Sequence, residues 1–116
     1  MARSPTQRAG DVAEAQAFDY LRARGLVALA RNVASKLGEI DLIMRDGDEI
    51  VFVEVRARSR ADYGGAAASV DWSKQARLRR AAQRWLSGHY GDRLPACRFD
   101  VCAVQGDRVE WIRGAF

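Results

Sequence analysis

Gly38-Glu39-Ile40-Asp41-Leu42-Ile43-Met44-Arg45-Asp46-Gly47-Asp48-Glu49-Ile50-Val51-Phe52-Val53-Glu54-Val55-Arg56 reads as a β-hairpin with an acid in each arm. Two runs of strand-forming residues, 38–44 and 50–56, flank a segment whose Asp-Gly is a strong hairpin signal, so antiparallel neighbours are expected. Asp41 and Glu54 occupy positions where a core strand would carry only apolar side chains. Burying either carboxylate costs stability unless a cation compensates.

Parity narrows the register, because residues opposite each other in a ladder share a face. A two-residue turn at Asp46-Gly47 sets Asp41 against Phe52 and Glu39 against Glu54; a loop from Asp46 to Glu49 sets Asp41 directly against Glu54. Both registers put the two acids on one side of the sheet, about 5 to 8 Å apart by the usual cross-strand spacings. Arg56 joins that face, and Glu39 shares the face of Asp41 as a fourth acid or a rim residue. Carboxylates this close repel, and a hard divalent cation bridged by their oxygens is the usual relief. The pattern reads as a metal site with a fixed cation beside it.

The chain has 116 residues, enough for one domain with one core, expected over 1–116 with residues 1–9 as a loose basic arm. Hydrophobic residues at 48% and charged ones at 29% exclude a disordered protein. No apolar run is long enough to span a bilayer, and Met1-Ala2-Arg3-Ser4-Pro5-Thr6 lacks the apolar stretch of a signal peptide, so no membrane is expected and the expected location is the cytoplasm. A net charge of +4 and a pI near 9.6 allow a nucleic-acid partner. Only Lys36 and Lys74 are lysines; the rest of the positive charge is arginine, which suits phosphate or reflects GC-rich coding. Cys97 and Cys102 fall on opposite faces of one strand, roughly 16 Å apart by strand rise, and cannot pair with each other. A single histidine, His89, leaves no Cys/His zinc set, so any metal should be oxygen-bound.

Outside the hairpin, helical patterning runs from Asp11 to Arg24 and stops at Gly25, a natural cap, and Val27 to Val33 reads as a strand. A small-residue loop, 59–69, contains Gly64-Gly65, too short a signal for a phosphate loop. A second helix spans Trp72 to Ser87 with Asp71 as N-cap and Gly88 near its end; strands at 98–105 and 108–112 follow around Gly106-Asp107. The order is α-β-β-β-α-β-β, a mixed α/β domain with a sheet of about five strands.

Glu14 lines up with Ala17, Phe18 and Leu21 on the apolar stripe of the first helix, either snorkelling to water or joining the two strand acids. Lys74 shares the buried stripe of the second helix with Leu78, Ala81 and Trp85, and stands in the first turn, where the helix dipole disfavours a cation. A lysine against both rules points to an anion, the carboxylate cluster or a phosphate, unless its stem packs under Trp85 with the amine in solvent. Arg77, Arg80 and Arg84 fall on the outward face, as solvated surface or as a binding stripe. Arg98 and Asp100 share a strand face as an ion pair, His89 caps a helix or lies on the surface, and Tyr63, Trp72 and Trp111 are packing or base-stacking aromatics.

Gly10 with Glu14, Arg31-Asn32, the 38–43 and 52–56 runs, Lys74 and Arg98-Phe99-Asp100-Val101 together resemble the YraN-like family of small bacterial proteins over nearly the whole chain. That family in turn looks like the restriction-endonuclease-like PD-(D/E)xK nuclease superfamily and, within it, the archaeal Holliday junction resolvases. The resemblance implies a restriction-endonuclease-like core whose helix Glu, strand Asp and Glu-x-Lys strand form a metal-dependent active site. Carried over, these are Glu14, Asp41 and Glu54, with Arg56 where the superfamily has lysine. Arginine stays protonated, so it neutralises phosphate but cannot take a proton from water.

The expected function is a Mg²⁺- or Mn²⁺-dependent nuclease, with branched DNA favoured only by the resolvase resemblance. Asp41, Glu54 and Glu14 would hold metal; Arg56 would steady the phosphate and Lys74 would be an auxiliary cation, completing a catalytic set of Glu14, Asp41, Glu54, Arg56 and Lys74. Arg56, Arg58, Lys74, Arg77 and Arg84 would contact nucleic acid, DNA ahead of RNA, with a homodimer left open. The competing expectations are a non-catalytic nucleic-acid-binding module of the same fold and a protein-interaction scaffold.

Overall fold

Five β-strands form one mixed sheet in the order β1-β2-β3-β4-β5: β1 (Val27–Ser35), β2 (Gly38–Asp46), β3 (Glu49–Ala57), β4 (Cys97–Gln105) and β5 (Arg108–Ile112). The helices are α1 (Pro5–Ala23) and α2 (Trp72–Tyr90). The structure is a computed structural model and describes residues 5–58, 65 and 70–116, with side chains from Ala9 onward in α1. The expected order α-β-β-β-α-β-β and the mixed α/β class are borne out. Residues 5–9, expected in a basic arm, are helical instead: α1 starts at Pro5, and proline is well accommodated in a first turn, where its missing N–H would be unbonded anyway.

All neighbouring strands are antiparallel except β3 and β4, which run parallel and are joined through α2. A parallel pair needs such a crossover, and helices then cover both faces. On the α1 side Ala13, Ala17 and Leu21 pack on Leu42, Met44, Val51 and Val53; on the α2 side Leu78, Ala82 and Leu86 pack on Ile43, Ile50, Phe52 and Val101. This explains why β3 is almost unbroken in apolar residues: both of its faces are inside. Truncating a side chain such as Leu42, 0% exposed, to alanine should cost about 2–5 kcal/mol.

The ends of the elements follow local chemistry. Asp71 caps α2 by accepting from Lys74 N at 2.8 Å, and Gly91, at φ 59°, closes its other end with its N–H on Ser87 O at 3.0 Å. The helix therefore runs past Gly88. Between β2 and β3 the last pair is Asp46 with Glu49, and Gly47 at φ 61° makes the tight turn. Arg98 clamps that turn: it donates to Glu49 Oε1 at 2.8 Å, Asp46 Oδ2 at 2.9 Å and Asp100 Oδ1 at 3.0 Å. Asp100, fully buried, also accepts from Trp111 Nε1 and Gly114 N, each at 2.9 Å, so the expected Arg98–Asp100 pair is the centre of a satisfied polar network. Cys97 is exposed and Cys102 buried, both as free thiols.

Candidate functional site

The site begins where the sheet forks. β2 and β3 pair from Asp46–Glu49 as far as Leu42–Val53, the register that sets Asp41 against Glu54 as the next pair. That pair does not form. β2 goes on with β1 to Gly38, and β3 goes on with β4 to Ala57. Parting leaves the Val55 N–H without a ladder partner, and Asp41 Oδ2 accepts from it at 2.9 Å.

A second irregularity faces the fork. Asn32 has φ 51°, a left-handed conformation that asparagine tolerates better than most residues. Ala30 and Val33 on β1 pack against the same core, and so do Ile40 and Ile43 on β2, although residues three apart in a regular strand face opposite ways. Both strands therefore turn over between these pairs. In the amide orientation that satisfies both of its polar atoms, Asn32 donates to Glu14 Oε2 at 2.7 Å and to Glu39 Oε1 at 3.0 Å. One carboxylate oxygen each from Glu14, Glu39 and Asp41 lie within 4.8 Å of one another.

Glu54 supplies the buried flank. It is 5% exposed, and its Oε1 meets Lys74 Nζ at 2.9 Å and Arg56 Nε at 3.7 Å. Its Oε2 is buried with no hydrogen-bond partner among the described residues. Lys74 thus stands in the first turn of α2, against the helix dipole, because a buried carboxylate faces it. Between β2 and α2 lies a cleft of about 250 Å³, walled by Gly38, Glu39 and Asp41 on one side and by Lys74 and Arg77 on the other.

Burial pushes the Asp41 carboxyl up to about 8, with the charges of Glu54 and Glu14 acting in the same direction against the Val55 N–H and Lys74. Glu14 is also raised, first by burial and then by Glu39 and Asp11. Acids held above their ordinary range by burial and then by one another are an arrangement that a bound cation relieves. The donors at hand are carboxylate oxygens throughout, which fits a hard ion such as Mg²⁺ or Mn²⁺, and the second Glu54 oxygen is buried beside them with no hydrogen-bond partner among the described residues.

Residues 13–104 match the family described as "Uncharacterised protein family UPF0102". The chain belongs to this family. It is 57% identical over 111 residues to a UPF0102 protein of Ralstonia nicotianae, covering 92% of this chain and 85% of that one. It is 54% identical over 112 residues to the UPF0102 protein YraN of Escherichia coli, with coverage of 96% and 86%. The YraN-like resemblance is thereby borne out. The UPF0102 match includes Glu14, Asn32, Glu39, Asp41, Glu54, Arg56 and Lys74.

Of the residues picked out in sequence, Glu14, Asp41, Glu54, Arg56 and Lys74 come together around the fork of this UPF0102 chain. Glu39 joins the acids from the exposed edge of the cluster. Asn32 escaped notice as a site residue; an asparagine inside a strand pattern was the available signal. Arg77 lines the cleft, Arg80 and Arg84 are exposed farther along α2, and Arg58 continues β3 with its N–H on Val104 O at 2.8 Å. Trp111 serves the Asp100 network, and Trp85 stacks on His89 with ring centroids 4.1 Å apart. Trp72 is 85% exposed, and Tyr63 and Gly64 lie outside the described residues. Among the described residues, no helix is long and apolar enough to cross a membrane.

Proposed function

We propose that this protein is a divalent-cation-dependent nuclease that hydrolyses phosphodiester bonds, in DNA ahead of RNA. The observation that carries this reading is the meeting of Glu14 from α1, Asp41 from β2 and Glu54 from β3 at the open end of a forked sheet, with Lys74 and Arg56 beside them. A helix Glu, a strand Asp and a strand Glu in this order mark the restriction-endonuclease-like superfamily that the sequence resembles, which has lysine in place of Arg56, and the mixed sheet with a helix on each face is compatible with that core.

Glu14, Glu39, Asp41 and the second oxygen of Glu54 are the groups that would hold Mg²⁺ or Mn²⁺. A divalent cation, once bound, supplies Lewis acidity toward the phosphoryl group and makes water more acidic. The chain's own residues do the rest. Lys74 and Arg56 pair with the buried Glu54 carboxyl, and Arg56 would present a permanent positive charge to the scissile phosphate. Lys74, an amine on a flexible stem, would orient water. Arg77, Arg84 and Arg58 extend the positive surface along which a backbone would lie.

One observation favours a second reading, a non-catalytic nucleic-acid-binding module: the strand partner of Glu54 is the guanidinium of Arg56 and not an amine. A screen of linear duplex, single-stranded and four-way DNA and of RNA, with Mg²⁺, with Mn²⁺ and with chelator, separates the two. Cleavage by the wild type in metal, lost in Asp41→Ala and Glu54→Ala, is expected. Binding of the same substrates with no cleavage would hand the function to the second reading; no binding at all would end both.

A further inference from the structure

We infer that Asn32 is a positioning residue that holds Glu14 and Glu39 side by side for a divalent cation. The inference rests on the cation site proposed above and assigns the residue that preorganises it.

Glu14 comes from a helix and Glu39 from a strand, and nothing in the chain's local geometry obliges their carboxylates to share a site. Their charges oppose it: Glu39 is the largest charge that raises the Glu14 carboxyl, after burial. The Asn32 amide answers this with one NH₂ group, whose two hydrogens go to the two acids at 2.7 and 3.0 Å. Held by one amide, the two carboxyl groups are fixed in the same orientation toward the site, which is what a positioning residue supplies. Geometry reinforces the assignment. At φ 51° a residue with an ordinary side chain is strained, and a short polar one is not, so this position selects for asparagine, aspartate or glycine. Of the three, only asparagine donates to carboxylates. Beside the three convergent acids, Glu54 keeps a buried oxygen with no partner among the described residues, a second and separate mark of a ligand at this fork.

The left-handed backbone makes the test clean, because Asn32→Gly removes the amide while keeping the conformation. Mn²⁺ binding is measured by titration calorimetry on wild type, Asn32→Gly, Glu39→Gln and the double variant, with cation-free melting temperature as the check on folding. Loss of a group that orients metal ligands typically lowers affinity 10- to 100-fold. Asn32→Gly should weaken Mn²⁺ roughly tenfold by that standard, with its cation-free melting temperature close to wild type. In the Glu39→Gln background, where one charge of the bridged pair is gone, the same change should cost less than about threefold. Equal Mn²⁺ affinity in wild type and Asn32→Gly, or an equal loss in both backgrounds, would overturn the positioning role while leaving the cation site intact. Wild-type protein that binds no Mn²⁺ would overturn the cation site and this inference with it.

Discussion

Asp41 Oδ2 accepts a 2.9 Å hydrogen bond from Val55 N, so a side chain of β2 completes the backbone bonding of β3 where the two strands have separated. The same carboxyl is pushed up to about 8 by burial and by Glu54. One residue thus joins a structural seam to a strained electrostatic site.

That strain sets a pH dependence. Asp41 binds its proton with a pKa of about 8 in the folded chain, against 3.8 ordinarily. Between those values the folded state keeps a proton that the unfolded chain has released, so this contribution to stability is complete below about pH 4 and lost as pH rises through 8. In chelator, wild type should lose more melting temperature than Asp41→Asn between pH 5 and 8. A difference between the two proteins that is flat with pH contradicts the assignment.

Lys74 is the cation closest to Glu54, at 2.9 Å. Lys74→Met should therefore destabilise the fold in denaturant melts by about 1–3 kcal/mol, the usual cost of stranding a buried polar group. This is below the figure for a fully buried pair because the lysine side chain is 34% exposed. Glu54→Gln added to Lys74→Met should recover part of the loss. No recovery would mean that the lysine acts through its stem and not its charge.

Arg56 tests the chemistry. If it serves as a fixed charge beside phosphate, Arg56→Lys should preserve or raise metal-dependent cleavage, and Arg56→Ala should lower cleavage more than binding, because the charge is needed most as the transition state forms. Single-turnover cleavage and equilibrium binding on one substrate measure both. Equal losses in the two would make Arg56 a binding residue alone.

Arg77 and Arg84 test the surface. Arg77→Ala with Arg84→Ala should weaken nucleic-acid binding about evenly across sequences and flatten its salt dependence by at most about two phosphate contacts. Both are exposed helix positions, so stability should change by no more than about 0.5 kcal/mol each. Unchanged affinity and slope would make this face plain solvent surface.

The hairpin, its turn and the flanking elements were legible because turn chemistry and apolar runs are local signals. Parity put Asp41 and Glu54 on one side of the sheet, and Lys74, misplaced by two separate rules, pointed at the anion it meets. Parity could not choose between the two registers, since each kept the same residues on the same face. It was blind to Asn32 for a deeper reason: alternation assumes an even pleat, and the positive φ there breaks it. The sequence does not decide the place of Glu39, because that place depends on this break together with a helix that packs from the far end of the chain.

A sheet that splits acquires two inner edges, and an exposed edge is a template for foreign strands. At the fork the Asp41 carboxylate occupies the Val55 N–H, so the acid assigned to chemistry is also a stopper against unwanted pairing. Asp41→Ala would bare that edge and cost solubility whether or not the acid also binds a cation.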